Sequence, residues 1–319
     1  MRAAVVRSFS HPPRFEEFAL PKPEDKTEVV IEVLAAGLHP RVRSGASGSH
    51  YADTNTLPMV PGIDGVGRLS DGRRVYFVLH DTPMGSMSEQ TIVDVRRCVP
   101  VPEGVDEALV AAAMNPAISS WLALRLRSPL RGGEKVLVLG VTGNAGQMAV
   151  QVAKRLGAGH VVGAGRDAER LEASKADTLV SLAGSPDAVA RSLAGAASDV
   201  DVVIDYLWGD PAEHAMMAML TAREDRSRVI NWIQIGSIAG PKMSLPSVAL
   251  RSTNLRVMGS GQGSVPLKDI VSELPHLMKE FSEGVLRLEA LRVPLADVEA
   301  IWTAPEPQGK RVVFIPDPP

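Results

Sequence analysis

The chain has 319 residues, enough for two domains with apolar cores of their own, and its apolar (45%) and charged (22%) fractions are those of an ordinary globular protein. A formal net charge of −3, with arginines scattered among acids, supplies no basic face for nucleic acid or an anionic membrane, so neither is expected as a partner. The single cysteine, Cys98, excludes an internal disulfide and any multi-cysteine zinc site; on an apparent strand with no partner acid or base evident, it reads as buried and structural.

Residues 1–9 lack the apolar core of a signal peptide and read as a first strand. Since no apolar run approaches the length of a membrane span, a cytoplasmic protein is expected. The first hundred residues read as β-rich, with strands at 3–6, 29–34, 75–79 and 91–95. Gly62-Ile-Asp-Gly65-Val-Gly67 and Ser70-Asp-Gly72 are expected to be turns between them. Helical spacing begins at 106–114 and resumes at 118–126, with Pro116 expected to interrupt the helix or start a second one.

From Glu134 to about Gly261, strands (136–139, 160–164, 178–182, 200–206, 228–235, 255–259) alternate with helices (145–156, 168–174, 188–194, 211–220). This alternation predicts an α/β fold with a doubly wound parallel sheet. A last helix over 267–282 and a strand over 310–316 close the chain.

Gly140-Val141-Thr142-Gly143-Asn144-Ala145-Gly146 lies between the apolar run 135–139 and the amphipathic run 147–156. Strand, glycine turn and helix together make a dinucleotide-binding unit, because the turn lets backbone approach a pyrophosphate and the helix N-terminus presents free amides. Val141 stands where the first glycine of G-x-G-x-x-G belongs, while Gly143 and Gly146 keep the spacing of the second and third. The alternative is an ordinary strand-to-helix turn that uses glycine for positive φ.

The order of parts resembles the medium-chain dehydrogenase/reductase superfamily. The resemblance is carried by Pro61-Gly-Ile-Asp-Gly-Val-Gly67, the Gly140–Gly146 turn, Ile235-Gly-Ser-Ile-Ala-Gly240 and Gly309-Lys-Arg-Val-Val-Phe314, which span nearly the whole chain. Within the superfamily it looks like the zinc-free, quinone-oxidoreductase-like branch. The resemblance implies a Rossmann domain at 117–263, a GroES-like catalytic domain at 1–116 and 264–319, and an active site in the cleft between them. Zinc-dependent relatives carry a Cys near Leu38 and a His-Glu pair after Gly62; here those places hold Leu38-His39 and Ile63-Asp64, and no metal is expected. His39, Asp64 and His50 are the one combination that could in principle form such a site.

At the end of the second Rossmann strand, a basic side chain favours a cofactor with a 2′-phosphate and an acidic one favours the ribose hydroxyls. Gly165-Arg166-Asp167-Ala-Glu-Arg170 puts Arg166 at the discriminating place and Arg170 on the same helix face, so NADP(H) is expected. Asp167 is expected to cap the following helix; turned inward, it would favour NAD instead. By position in the family pattern, the cofactor is lined by Gly140, Thr142, Gly143, Asn144, Ala145 and Gly146, by Tyr206 and Leu207, by Ile235, Gly236 and Ser237, and by Ser260 and Gly261. Ser119 falls where relatives place a Thr near the nicotinamide, although a hydroxyl there can equally bond back to a helix carbonyl.

The substrate side is expected to draw on His39, Tyr51 and Asn115 as hydrogen-bond or proton donors. The family's first catalytic loop often reads Asn-Pro-x-Asp, whereas here it is His39-Pro40-Arg41-Val-Arg43, without the acid. Without a metal to polarise a simple carbonyl, the expected acceptors are quinones or α,β-unsaturated carbonyls. The rivals are reduction of an ordinary ketone or aldehyde, and a nucleotide sensor without turnover. The strand at 255–259 resembles the edge through which relatives dimerise, so a homodimer is expected.

Overall fold

In a computed structural model, whose described residues are 1–50, 56–80, 82–305, 307 and 309–317, the polypeptide divides into two units. One comprises Met1–Asn115 and Val271–Pro319, the other Pro116–Ile270.

The first unit opens with β1 (Arg2–Val5) paired antiparallel to β2 (Arg14–Glu17). The ten-residue β3 (Glu28–Gly37) leads into the short α1 (Pro40–Ala46), where Pro40 occupies the first turn and loses no hydrogen bond by lacking an N–H. An antiparallel set follows: β4 (Asp64–Arg68), β5 (Arg74–Val78), β6 (Gln90–Asp94) and β7 (Cys98–Pro100). Helix α2 (Glu107–Leu122) then carries the chain into the second unit.

Two sequence expectations are corrected here. Residues 64–68 form a buried strand rather than a turn. Its glycines serve close approach between strands: a Cβ on Gly65 would fall 2.8 Å from the Ala35 carbonyl oxygen, and one on Gly67 would fall 2.1 Å from Ile31 Cγ2. The Ser70–Gly72 turn does form, with Gly72 at φ +88°.

Nor does Pro116 break the helix. It lies inside a continuous α2 that ends in a π-turn, Ala123–Arg127. An internal proline costs about 3 kcal/mol. Burial offsets this, because Ala108, Val110, Ala111, Ala112, Ala113, Met114, Ala117 and Trp121 are all enclosed. The helical run Glu107–Arg127 is also long and apolar enough to cross a membrane by length and composition, contrary to expectation, but 67% of its most apolar window is buried inside the protein.

The second unit contains six parallel strands in the order β10-β9-β8-β11-β12-β13. These are β8 (Lys135–Leu139), β9 (His160–Gly165), β10 (Thr178–Ser181), β11 (Val202–Asp205), β12 (Ile230–Gln234) and β13 (Leu255–Gly259). Central strands such as Val136–Leu139 are buried completely, which is why they read as unbroken apolar runs. Between them run α3 (Asn144–Arg155), α4 (Ala168–Ala173), α5 (Pro186–Ala197), α6 (Gly209–Ala222) and α7 (Ser247–Ser252). Met148, Ala149, Val152 and Ala153 form the inward face of α3, and Gly157 at φ +90° ends its run.

Helix α8 (Leu267–Ser282) leads back to the first unit, where β14 (Glu289–Pro294), α9 (Val298–Trp302) and β15 (Lys310–Ile315) follow. There β15 pairs with both β14 and β3, completing a sheet in the order β14-β15-β3-β4-β5-β7, with β6 also on β3.

Candidate functional site

In the Rossmann-type sheet, β8 and β11 are neighbours whose connections leave toward opposite edges, so a crevice opens beyond their C-terminal ends. The glycine turn sits there. Gly140 leaves β8 at φ +89°, held by its N–H and that of Val141 on the Ala164 carbonyl (2.9 and 3.0 Å). Gly143, exposed, is the residue before α3, and Asn144 is buried in its first turn.

The three glycines do different work. A Cβ on Gly146 would lie 2.3 Å from the Gly140 oxygen and 2.6 Å from Val141 Cα, so close packing of α3 on β8 demands glycine. Gly140 needs glycine for its backbone angle. Gly143 has neither constraint: its φ is −79°, and a Cβ there would meet only the Gly140 oxygen, at 3.5 Å. The fold tolerates a side chain at Gly143, and the open space above it faces the N-terminus of α3.

Of the basic residues, Arg166 is exposed at the end of β9, whereas Arg170 is built into the turn. Arg170 Nη2 donates to Asn144 Oδ1 (3.0 Å), its carbonyl accepts from Gln147 Nε2 (3.3 Å), and its buried Nε has no partner among the described residues. Asp167 is the helix cap expected, its Oδ1 accepting from the Arg170 amide at 3.0 Å. Thr142 packs on Gly165, where a Cβ would fall 2.4 Å from Thr142 Cγ2. Ala145 is half-buried in the first turn of α3.

At the end of β11, Tyr206 Oη lies 2.9 Å from Ser119 Oγ, which also donates to the Pro116 carbonyl at 2.8 Å. The expected back-bond of Ser119 to a helix carbonyl therefore forms, and the same hydroxyl meets Tyr206. Burial pushes the Tyr206 phenol up to about 12, against its hydrogen bonds with Ser119 and Ser120, so it stays protonated near neutrality. Leu207 touches Gly140: a Cβ on the glycine would sit 3.1 Å from Leu207 Cδ2. Ile235 and Gly236 donate their amides to the Asp205 carbonyl (2.8 and 3.1 Å), and Ser237 is exposed just beyond. Ser260 is buried, its amide on the Gln234 carbonyl (2.9 Å), and Gly261 donates to Ser264 Oγ (2.8 Å).

Sequence reasoning missed Asp205. It is fully buried, and it accepts from the amides of Leu207 (2.8 Å) and Trp208 (3.0 Å) and from Trp232 Nε1 (2.9 Å). Burial raises its pKa despite these donors. It holds the β11–α6 corner, where Trp208 has φ +52°, a conformation that a bulky L residue rarely adopts. The available signal was a lone acid closing the apolar run Val202–Asp205.

In the first unit, His39 precedes α1 with its Nε2 3.2 Å from Asp64 Oδ1, and Tyr76 Oη donates to Asp64 Oδ2 at 2.7 Å. All three residues are 2% exposed. Asn115 is half-buried inside α2, and Tyr51 lies outside the described residues. Among the described residues no three His, Cys, Asp or Glu side chains gather as a metal site, so His39, Asp64 and His50 do not form one. Cys98 is half-buried, with its thiol pushed up to about 12 by burial, so it stays protonated at neutral pH.

No family model matches the chain. It is 29% identical to the "Probable NADPH-dependent quinone reductase tdiC" of Emericella nidulans, over 99% of this chain and 100% of that protein. It is 29% identical to the chloroplastic NADPH-dependent alkenal/one oxidoreductase of Arabidopsis thaliana, over 58% of this chain and 51% of that one. The solved quinone oxidoreductase of Thermus thermophilus, known also in complex with NADPH, superposes with a TM-score of 0.80 at 27% identity, covering 99% of this chain and 100% of that one.

A Rossmann-type unit and a separate β-rich unit, together with these relatives, give the chain the two-domain architecture of the medium-chain dehydrogenases/reductases. Over nearly its whole length the chain is similar to the quinone-oxidoreductase-like branch of that superfamily.

Proposed function

We propose that this protein is an NADPH-dependent oxidoreductase that transfers a hydride to a quinone or an α,β-unsaturated carbonyl compound. One observation carries the cofactor assignment. Arg170 is clamped to Asn144 at the glycine turn with a buried Nε unpartnered among the described residues, while the rival acid Asp167 is occupied as a helix cap. That arrangement suits a 2′-phosphate. Gly143, which the fold does not require, leaves room for a pyrophosphate over the α3 amides.

When bound, the dihydronicotinamide supplies the hydride. The chain's own part is to grip the phosphates at the glycine turn, with Arg166 and Arg170 on the adenosine side. Tyr206, neutral and tied to Ser119, presents a fixed phenol at the strand ends.

Metal independence is part of the proposal: Asp64 is already engaged by His39 and Tyr76, and Leu38 has no donor atom. So is a homodimer through β13, the last strand of its sheet, on which Val257 is exposed, as are Val248 and Leu250 on the adjoining α7. A cytoplasmic location completes it, supported by a lone cysteine that makes no internal disulfide.

The test is NADPH absorbance in buffer containing chelator, with an o-quinone and a 2-alkenal as parallel acceptors. Acceptor-dependent oxidation above the protein-free rate is expected, and the faster acceptor identifies the substrate class. Saturable NADPH binding without turnover on either refutes the activity and leaves a nucleotide sensor. Turnover that the chelator abolishes refutes metal independence and favours ordinary carbonyl reduction. Light scattering of the wild type and of Val257→Lys tests the dimer; a wild-type monomer overturns it.

A further inference from the structure

His39 is nearly inaccessible, and Asp64, which meets its ring, and Tyr76, which meets Asp64, are also buried. Asp64 opposes Val78 and Val66 opposes Tyr76 across the β4–β5 ladder, so Asp64 and Tyr76 are diagonal neighbours on one face of the sheet. The Asp64 carboxylate accepts from both sides, Tyr76 Oη at 2.7 Å and His39 Nε2 at 3.2 Å. Burial first, and then the Asp64 charge, hold the Tyr76 phenol well above its ordinary range, so it remains a donor. An ionised carboxylate can only accept, which requires the hydrogen of a neutral His39 ring to be on Nε2. Nδ1 is then the free lone pair.

Among the described residues, that buried Nδ1 has no hydrogen-bond partner. Native interiors rarely leave such an atom unpaired, and a ring nitrogen left so beside a completed His–Asp–Tyr chain is suited to exchange a proton with a molecule from outside the chain. From the neighbouring β15, Arg311 donates Nη1 to the Leu38 carbonyl at 3.1 Å and so fixes the backbone entering His39.

We propose that His39 is the proton donor to the reduced acceptor, with Nδ1 the atom that carries the proton and Asp64 and Tyr76 the positioning residues that hold the ring. This rests on the hydride-transfer reading above. The step balances simply. From the imidazolium, protonated on both nitrogens, the Nδ1–H bond breaks with its electron pair remaining on nitrogen and an O–H bond forms on the acceptor's oxyanion; the neutral Nε2–H ring left behind then takes a proton from solvent at Nδ1. No oxidation or reduction accompanies it.

Two measurements test this. Long-range ¹⁵N–¹H spectra of the ligand-free protein at a pH where the ring is neutral, with His39 assigned by its loss in His39→Gln, should show a single Nε2–H tautomer, and Asp64→Asn should abolish that preference. A wild-type Nδ1–H tautomer overturns the proposal without reference to activity. In turnover, His39→Gln keeps an amide donor toward Asp64 but has no transferable proton. Its kcat should fall about a hundredfold and lose its pH dependence, with the NADPH Kd unchanged. Tyr76→Phe should show a smaller loss of the same kind. A His39→Gln enzyme with wild-type kcat and pH profile overturns the donor role while leaving the hydride-transfer reading intact. Failure of the wild type to turn over either acceptor removes that reading and the donor role together, and the tautomer spectrum still decides whether Asp64 holds the ring.

Discussion

Gly143 and Gly146 stand three residues apart in one turn, yet alanine at each should fail in a different way. At Gly146 the new Cβ must stay clear of the Gly140 oxygen 2.3 Å away and of Val141 Cα 2.6 Å away, both backbone atoms that yield only if α3 moves off β8. Overpacking of this kind costs about 1–3 kcal/mol, and the gain in helix propensity from Gly to Ala returns at most about 1 kcal/mol. A net loss of roughly 1–2 kcal/mol lowers Tm by about 1.5–3 °C for a protein of this size. At Gly143 the φ of −79° already suits alanine, and the nearest atom is 3.5 Å away. The modest cost of Ala at a helix cap and the entropy gained by removing glycine nearly cancel, so Tm should stay within about 2 °C. The methyl instead projects where the pyrophosphate approaches, and NADPH should bind at least about tenfold more weakly, equivalent to about 1.4 kcal/mol. Differential scanning calorimetry and a fluorescence titration with NADPH separate the two effects. Unchanged NADPH affinity in Gly143→Ala would refute the placement of the cofactor on this turn, and an unchanged Tm in Gly146→Ala would refute the packing argument.

Arg170→Ala should weaken NADPH binding more than Arg166→Ala and narrow the preference over NADH, read from KM for each cofactor; equal effects would deny Arg170 its special place. Asp205→Asn sets an amide N–H₂ or a weaker acceptor against Trp232 Nε1 and the two corner amides, and should cost about 1–3 kcal/mol by denaturant titration. Burial raises the folded pKa of Asp205, so its contribution favours the fold at low pH and is lost as pH rises from about 4 through that raised value; Asp205→Asn should remove this trend. Asp94 behaves oppositely. Arg96 lowers its carboxyl to about 2, so its stabilisation is present above about pH 4 and lost as pH falls toward 2, and Asp94→Asn should flatten that acid limb of the Tm profile. Cys98 should react with iodoacetamide far more slowly than free cysteine until the protein unfolds.

Local pattern determined much of this protein. Unbroken apolar runs flanked by amphipathic ones placed the six parallel strands and most of their helices, because the side-chain periods of 2 and 3.6 are properties of the backbone itself. The glycine turn and the capping role of Asp167 were legible for the same reason: both act within a few residues. What depended on distant neighbours was not. Gly65 and Gly67 resemble turn glycines until Ala35 and Ile31 are seen packed against them, and Pro116 resembles a helix break until the burial around α2 is known. Arg170 gained its importance from Asn144, 26 residues away. His39, Asp64 and Tyr76 are ordinary residues in a list, 25 and 12 positions apart. Only the folding of α1, β4 and β5 into one unit buries them together, and only in that low-dielectric setting does a hydrogen-bonded row of polar groups fix which nitrogen carries the hydrogen of the neutral ring.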